Sequence, residues 1–211
     1  MAAHENHYHY RDAMRLLFIL TGMAEAVEGK NSTGEATHKF YGELRLMKLD
    51  FFVRYPDYLA NHLLNLYESN SEPELLEAAK SIMIGEEPDI RTILMVRWKY
   101  GAYERIETAL SILETPGLIK TVRDTTAHGR PWTYLIFESA FKLVSEATIQ
   151  QPSLAWYARQ IEAIKLLPNM NGSELKEAQY AIPEYENAAI GRTIPRIKEK
   201  VIKRLETLDV K

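Results

Sequence analysis

There is no cysteine among the 211 residues, so disulfides and thiolate-ligated metals are excluded within this chain, and a reducing cytoplasmic location is expected. Long apolar runs are also lacking. The most apolar stretch, Leu16 to Leu20, is far short of the roughly 20 residues a membrane-spanning helix needs. The start, Met1 to Tyr10, has no basic region leading into an apolar one, so no secretory leader is expected. Positive charge is not in excess either. The 26 Lys and Arg against 29 Asp and Glu give a net charge of −3, unlike a free-standing, tight DNA binder.

Several catalytic signatures are missing as well. No glycine-rich segment ends in Gly-Lys-Ser or Gly-Lys-Thr, so the chain carries no phosphate loop of its own. No Gly-x-Ser-x-Gly elbow occurs. A restriction-type nuclease needs an acid followed by an acid-x-lysine triplet, and here Pro88-Asp89 leads only to Arg97-Trp98-Lys99, with arginine in place of the second carboxylate. His4, His7 and His9 have spacing that can suit a metal, yet their polar and aromatic setting reads as a solvated tail. No catalytic residue, no metal site and no cofactor is assigned, and a non-enzymatic protein is expected.

What is present is mostly helix. Met14, Leu17, Phe18 and Thr21 share a face of a first helix expected over residues 11–28, ended by Gly29 to Gly34. A second, expected over 41–54, carries Leu44, Met47 and Phe51 on one side. Leu46, Leu49, Phe52 and Val53 widen that stripe until the helix must be buried on more than one side. Pro56 disfavours a helical conformation at Tyr55 and suits the first turn of a third helix through Tyr58, Leu59, His62, Leu63 and Leu66. A short helix over 74–83 follows.

Residues 95–146 read as one unit. Met95, Val96, Trp98 and Tyr100 suggest a strand, and Tyr103, Ile106, Leu110 and Leu113 make one stripe of a helix over 103–115 that Pro116-Gly117 stops. Leu118 to Val122 and Trp132 to Phe137 are rich in β-branched and aromatic residues around a polar turn, which predicts a hairpin. Ser139 is the expected N-cap of the closing helix. Strand, helix, hairpin and helix in that order form the second half of a winged helix. The expected fold is therefore mainly α with a small β-hairpin, a winged-helix-like domain over 1–150, and a C-terminal helical extension over 151–211 that begins at Gln151-Pro152-Ser153. The last helix, expected over 194–208, has an apolar face of Ile197, Val201, Leu205 and Leu208 that requires a partner, either the body of the chain or another protein.

Two basic zones stand out against the acidic first half. One is at the hairpin, where Lys120, Arg123 and Arg130 are candidates for contact with a DNA backbone; the other is the last helix. Lys48, Asp50, Arg54 and Asp57 cluster in the central apolar helix, with Asp50 and Arg54 four residues apart on one face. They are either a charge cluster stabilising the kink or a docking face, because charges in an apolar helix are costly unless paired within the fold or across an interface.

The run Lys48-Leu49-Asp50-Phe51-Phe52-Val53-Arg54-Tyr55-Pro56, continued by Tyr58-Leu59-Ala60, resembles the middle component of bacterial ABC-three-component systems, the group that includes Lamassu-type antiviral defence. Arg97-Trp98-Lys99-Tyr100-Gly101-Ala102-Tyr103, with Leu110, Leu113 and Gly117-Leu118-Ile119 after it, is similar to the strand, helix and wing of that family. The resemblance spans about residues 11–147, with weaker similarity through Ser173-Glu174-Leu175. It departs at Ala102-Tyr103, where the family commonly has Pro-Trp. It implies a non-catalytic subunit encoded beside an SMC-like or ABC-type ATPase and an effector, commonly a nuclease, and joining the two by protein–protein interaction. On that reading Lys48, Asp50, Arg54, Tyr55, Tyr100 and Tyr103 are partner-binding candidates. The alternative is a stand-alone winged-helix transcription regulator. Glu104, Glu107 and Glu114 outnumber Arg105 on the helix before the hairpin and would repel phosphates, which disfavours base reading. A toxin or hydrolase is the third class.

Overall fold

The computed structural model describes residues 2–27, 36–85, 94–99, 101–102, 105–123 and 132–209, with 2–8 and 209 described by backbone alone. It is mainly helical with a small antiparallel sheet. Helix α1 (Ala2–Gly22) starts earlier than the apolar stripe alone indicates and stops at Gly22. Glycine at this end also permits close packing. A Cβ on Gly22 would lie 2.5 Å from Cγ2 of Ile161, so glycine lets a later helix close against this end.

Strand β1 (Glu25–Ala26) pairs with β2 (Ala36–Tyr41). The expected hairpin is present as β5 (Ile119–Arg123) and β6 (Trp132–Phe137), and the sheet order is β1-β2-β6-β5, antiparallel throughout. Alternation along β6 puts Tyr134 and Ile136 into the core, and Phe40 joins them from β2 opposite Tyr134. The sheet partner of the hairpin is thus residues 36–41 and not the stretch 95–100. Among the described residues of the latter, only Arg97–Trp98 (β3) is a strand, and it forms a separate two-residue ladder with Gly101–Ala102 (β4).

Helices α2 (Glu43–Arg54), α3 (Pro56–Asn70) and α4 (Pro73–Ile84) follow β2. Pro56 and Pro73 each occupy a first helical turn, where the missing N–H costs nothing. From Leu46 onward nearly every side chain of α2 is buried, as its wide stripe demanded. Helix α5 (Glu107–Glu114) ends with Gly117 at φ 72 and the Leu118 N–H returning to the Leu113 carbonyl. Helix α6 (Glu138–Gln150) has Phe137 at its N-cap position with no side-chain cap. Ser139, the expected cap, lies inside the first turn and donates to the Gly117 carbonyl at 3.3 Å. The hairpin runs into the helix without a break, because the Phe137 N–H is held by the Leu118 carbonyl.

A 3-10 turn (Pro152–Leu154) lies where the sequence suggested a boundary. Beyond it come α7 (Ala155–Lys165), α8 (Gly172–Tyr180), α9 (Pro183–Glu186) and α10 (Lys198–Asp209). Helix α8 opens with a capping box, Asn171 Oδ1 accepting the Ser173 and Glu174 N–H groups while Glu174 accepts the Asn171 N–H. These helices do not form a separate core. Helix α7 packs on α1 and α2, α8 on α2, and α10 on α3 and α4. Trp156, Ile161, Ile194, Ile197 and Val201 belong to the same apolar cluster as Leu17 and Phe51. The partner required by the apolar face of the last helix is the body of its own chain. Among the described residues no helix is long and apolar enough to cross a membrane.

Candidate functional site

The run from Lys48 to Ala60 across the α2–α3 junction is a clamp. Tyr55 is fully buried, stacks on Phe51 at 4.7 Å, donates its hydroxyl hydrogen to the Ile194 carbonyl at 3.0 Å and accepts the Met95 N–H at 2.9 Å. Three residues on, Tyr58 donates to the Pro195 carbonyl at 3.0 Å. Asp57 accepts the Ile197 N–H at 2.7 Å and pairs with Arg196, whose guanidinium lies 4.7 Å over the Tyr55 ring. Two extended segments, around Met95 and around Ile194, are thereby fixed to one helix junction and to each other through Val96 and Thr193. Burial pushes both phenols above their ordinary pKa, so they stay protonated donors.

The same helix carries a buried charge cluster. Arg15 of α1 donates its Nε–H to Asp50 and its Nη1 hydrogen to Asp12 at 2.7 Å. Arg54 Nη1 lies 3.9 Å from Asp50 Oδ2, so the pair predicted by four-residue spacing exists but is the longer of the two. Burial alone would lower the Arg15 pKa, but Asp50 and Asp12 outweigh it and the group ends above its usual value. For Arg54 burial prevails, aided by the nearby Arg15 charge and offset in part by Asp50, and its pKa falls to about 10.

Lys48 points the other way along α2. Its side chain is buried, its carbonyl accepts a hydrogen bond from Gln179 at 3.1 Å, and its Nζ reaches the backbone at Gly101, 3.3 Å from where a Cβ would stand. Gly101 has φ 108, and the Tyr185 hydroxyl lies 2.6 Å from that same point, so both conformation and space call for glycine. Tyr185 accepts the Ala102 N–H at 2.7 Å. Arg97 lies against the rings of Tyr180 and Tyr185, 4.7 and 5.4 Å from their centres, and donates to the Tyr180 hydroxyl and to the carbonyls of Trp98 and Glu186. Its Nε is buried without an acceptor. Lys176 of α8 sits 5.6 Å over the Tyr180 ring. Burial, then Lys176 and Arg97, push Lys48 down to about 8.

The partner-binding candidates are therefore distributed unlike a surface. Lys48, Asp50, Arg54 and Tyr55 are 2%, 2%, 4% and 0% exposed. Asp50, Arg54 and Tyr55 hold the junction from within, and none of the four lies on the protein surface. Tyr100 and Tyr103 lie outside the described residues.

The hairpin is different. Lys120 and Arg123 are exposed on β5, the edge strand, and being three residues apart they point to opposite faces of it. Arg123 stacks 4.7 Å over Trp132, its cross-strand partner. Such charges also block pairing of the edge with another chain. Arg130 lies outside the described residues. Glu107, Thr108 and Ser111 are exposed on α5, whereas Glu114 is turned to the hairpin, accepting the Thr121 N–H at 2.6 Å.

Sequence reasoning passed over Arg15, Tyr180, Tyr185 and Asn171. Only the last had a local signal, Asn-x-x-Glu ahead of an apolar residue. Comparisons with models of known families, with curated proteins and with solved structures found no match to this chain.

Proposed function

We infer that the chain is a non-catalytic accessory subunit with a winged-helix-like unit, joining an SMC-like or ABC-type ATPase to an effector of nuclease class in a bacterial antiviral complex. The observation that carries this reading is the order α1, β2, α5, β5, β6. A helix, a strand, a helix packed on the first, and a hairpin that the strand completes support a winged-helix-like reading, on which α2 to α4 would be an insertion between strand and second helix. The resemblance of residues 48–60 and 97–119 to middle components of three-component ATPase systems supplies the partners. The clamp at Tyr55 and Asp57 supports a scaffold role, since it makes one rigid body of distant segments.

Partner contact then belongs to exposed elements and not to the buried cluster. Co-expression with the ATPase encoded beside it tests the reading: a tagged chain should retain that ATPase through gel filtration. Separate elution of the two proteins would contradict it.

A second reading, a stand-alone DNA-binding regulator, is favoured by one observation. With Glu114 engaged by the Thr121 N–H, the outward face of α5 offers Thr108 and Ser111 beside Glu107, which is less repulsive to phosphates than the sequence suggested. Salt-resistant, sequence-selective DNA binding by the isolated chain would favour it over the first.

A further inference from the structure

We propose that Lys48, Arg97 and Lys176, backed by Tyr180 and Tyr185, form a binding site for a phosphate-class oxyanion, either free phosphate or the terminal group of a nucleotide. A lysine ammonium taken out of water is costly unless an opposite charge or several acceptors receive it. Lys48 is 2% exposed, and among the described residues no carboxylate pairs with it; its charged neighbours are two further cations. Arg97, 8% exposed, spends its Nη groups on a phenol and two carbonyls, all neutral, and keeps a buried Nε–H with no acceptor. Lys176 is half-buried and makes no ion pair among the described residues, its ammonium lying over the Tyr180 ring. Among the described residues, three cations drawn from α2, β3 and α8 thus converge without a counter-charge, in a chain whose net charge is −3.

The fold maintains this convergence at some cost. Gly101 keeps φ 108 and leaves room for the Lys48 ammonium and the Tyr185 hydroxyl at one point of backbone. A dianion matches the site better than a carboxylate does, since one negative charge would leave two cations uncompensated. The depressed pKa of Lys48, about 8, is that of a site lacking its anion, and occupation would restore it towards the ordinary lysine value. Lys176 and Tyr180, partly exposed, mark the side from which a ligand enters.

The test uses the full chain in buffer free of phosphate and sulfate. Thermal melting and calorimetric titration are recorded with inorganic phosphate, with chloride at equal ionic strength, and with ATP. We expect a saturable rise in Tm with phosphate that chloride does not reproduce. ATP binding tighter than phosphate identifies a nucleotide as the source of the group, and equal or weaker binding identifies free phosphate. Lys48→Met should remove the phosphate-specific rise while melting no lower than wild type without ligand, because it deletes an uncompensated buried charge. Lys176→Ala, at a half-buried position, should fold normally and weaken phosphate binding by about tenfold, the value of one charge-assisted contact. The proposal is overturned if phosphate and chloride act alike on wild type, or if Lys176→Ala binds phosphate as wild type does. Should Lys48→Met not fold, Lys176→Ala alone decides.

Discussion

Arg15 in α1 donates to Asp50 in α2 across 35 positions of sequence, and this bond, more than the local Asp50–Arg54 pair, neutralises the carboxylate at the centre of the protein. The two arginines should behave differently when removed. Arg15→Met leaves the buried Asp50 with Arg54 at 3.9 Å and the half-buried Asp12 with Arg11 at 3.5 Å, and should cost roughly 3–5 kcal/mol of stability, chiefly through Asp50. Arg54, whose charged form is already disfavoured with a pKa of about 10, should cost at least about 2 kcal/mol less as Arg54→Met. Urea unfolding of the two variants measures the difference. Equal losses would mean that the 3.9 Å pair and the Arg15 bond contribute alike.

Lys48 makes stability depend on pH in the alkaline range. Its folded pKa of about 8 lies below that of an unfolded lysine, so between about pH 8 and 10 the unfolded chain binds more protons, and stability rises with pH. The full penalty is present below pH 8, and its relief should amount to something on the order of 3 kcal/mol. Tyr185, raised to about 12 by burial, opposes this only above about pH 10, where unfolded tyrosines ionise while the folded one does not. Denaturant midpoints in phosphate-free buffer should therefore climb from pH 7.5 towards 9.5 (roughly the window set by those values) and do so much less in Lys48→Met. A flat wild-type profile would contradict the burial of an uncompensated charge.

Any DNA binding by the isolated chain should be weak, sequence-tolerant and salt-sensitive, since its exposed carriers are the edge-strand cations Lys120 and Arg123, joined in the sequence by Arg130. Each cation that neutralises a DNA phosphate should, on replacement by alanine, lower the log–log salt slope by about 0.9. Because Lys120 and Arg123 leave the strand on opposite faces, the single variants separate their shares. An unchanged affinity and slope in the triple alanine variant would remove the hairpin from the DNA-binding surface.

Much of this architecture is written locally. The wide apolar stripe of α2 required burial on several sides, Pro56 placed the start of α3, and Ile197, Val201 and Leu205 foretold a docked last helix. Strand β2 was not legible in the same way, because His38 and Lys39 interrupt its apolar residues and its pairing with β6 is set by tertiary contact about a hundred residues away. Residues 95–100 look more strand-like than 36–41, yet Met95 and Arg97 give their backbone hydrogen bonds to Tyr55 and Arg192 and not to the hairpin. The charge cluster shows the same limit. Four-residue spacing found Arg54 as a partner of Asp50, but no sequence rule reaches Arg15, and none predicts that Lys48 on the same helix meets two cations in place of a carboxylate.

The proposal that this chain joins an ATPase to an effector is tested most directly by co-purifying an ATPase and an effector encoded beside it, with and without the chain. With the chain present, a tag on the ATPase should recover the effector in fixed proportion, and omitting the chain should lose the effector while both remaining proteins stay folded. Recovery of the effector to the same extent without this chain would contradict the account.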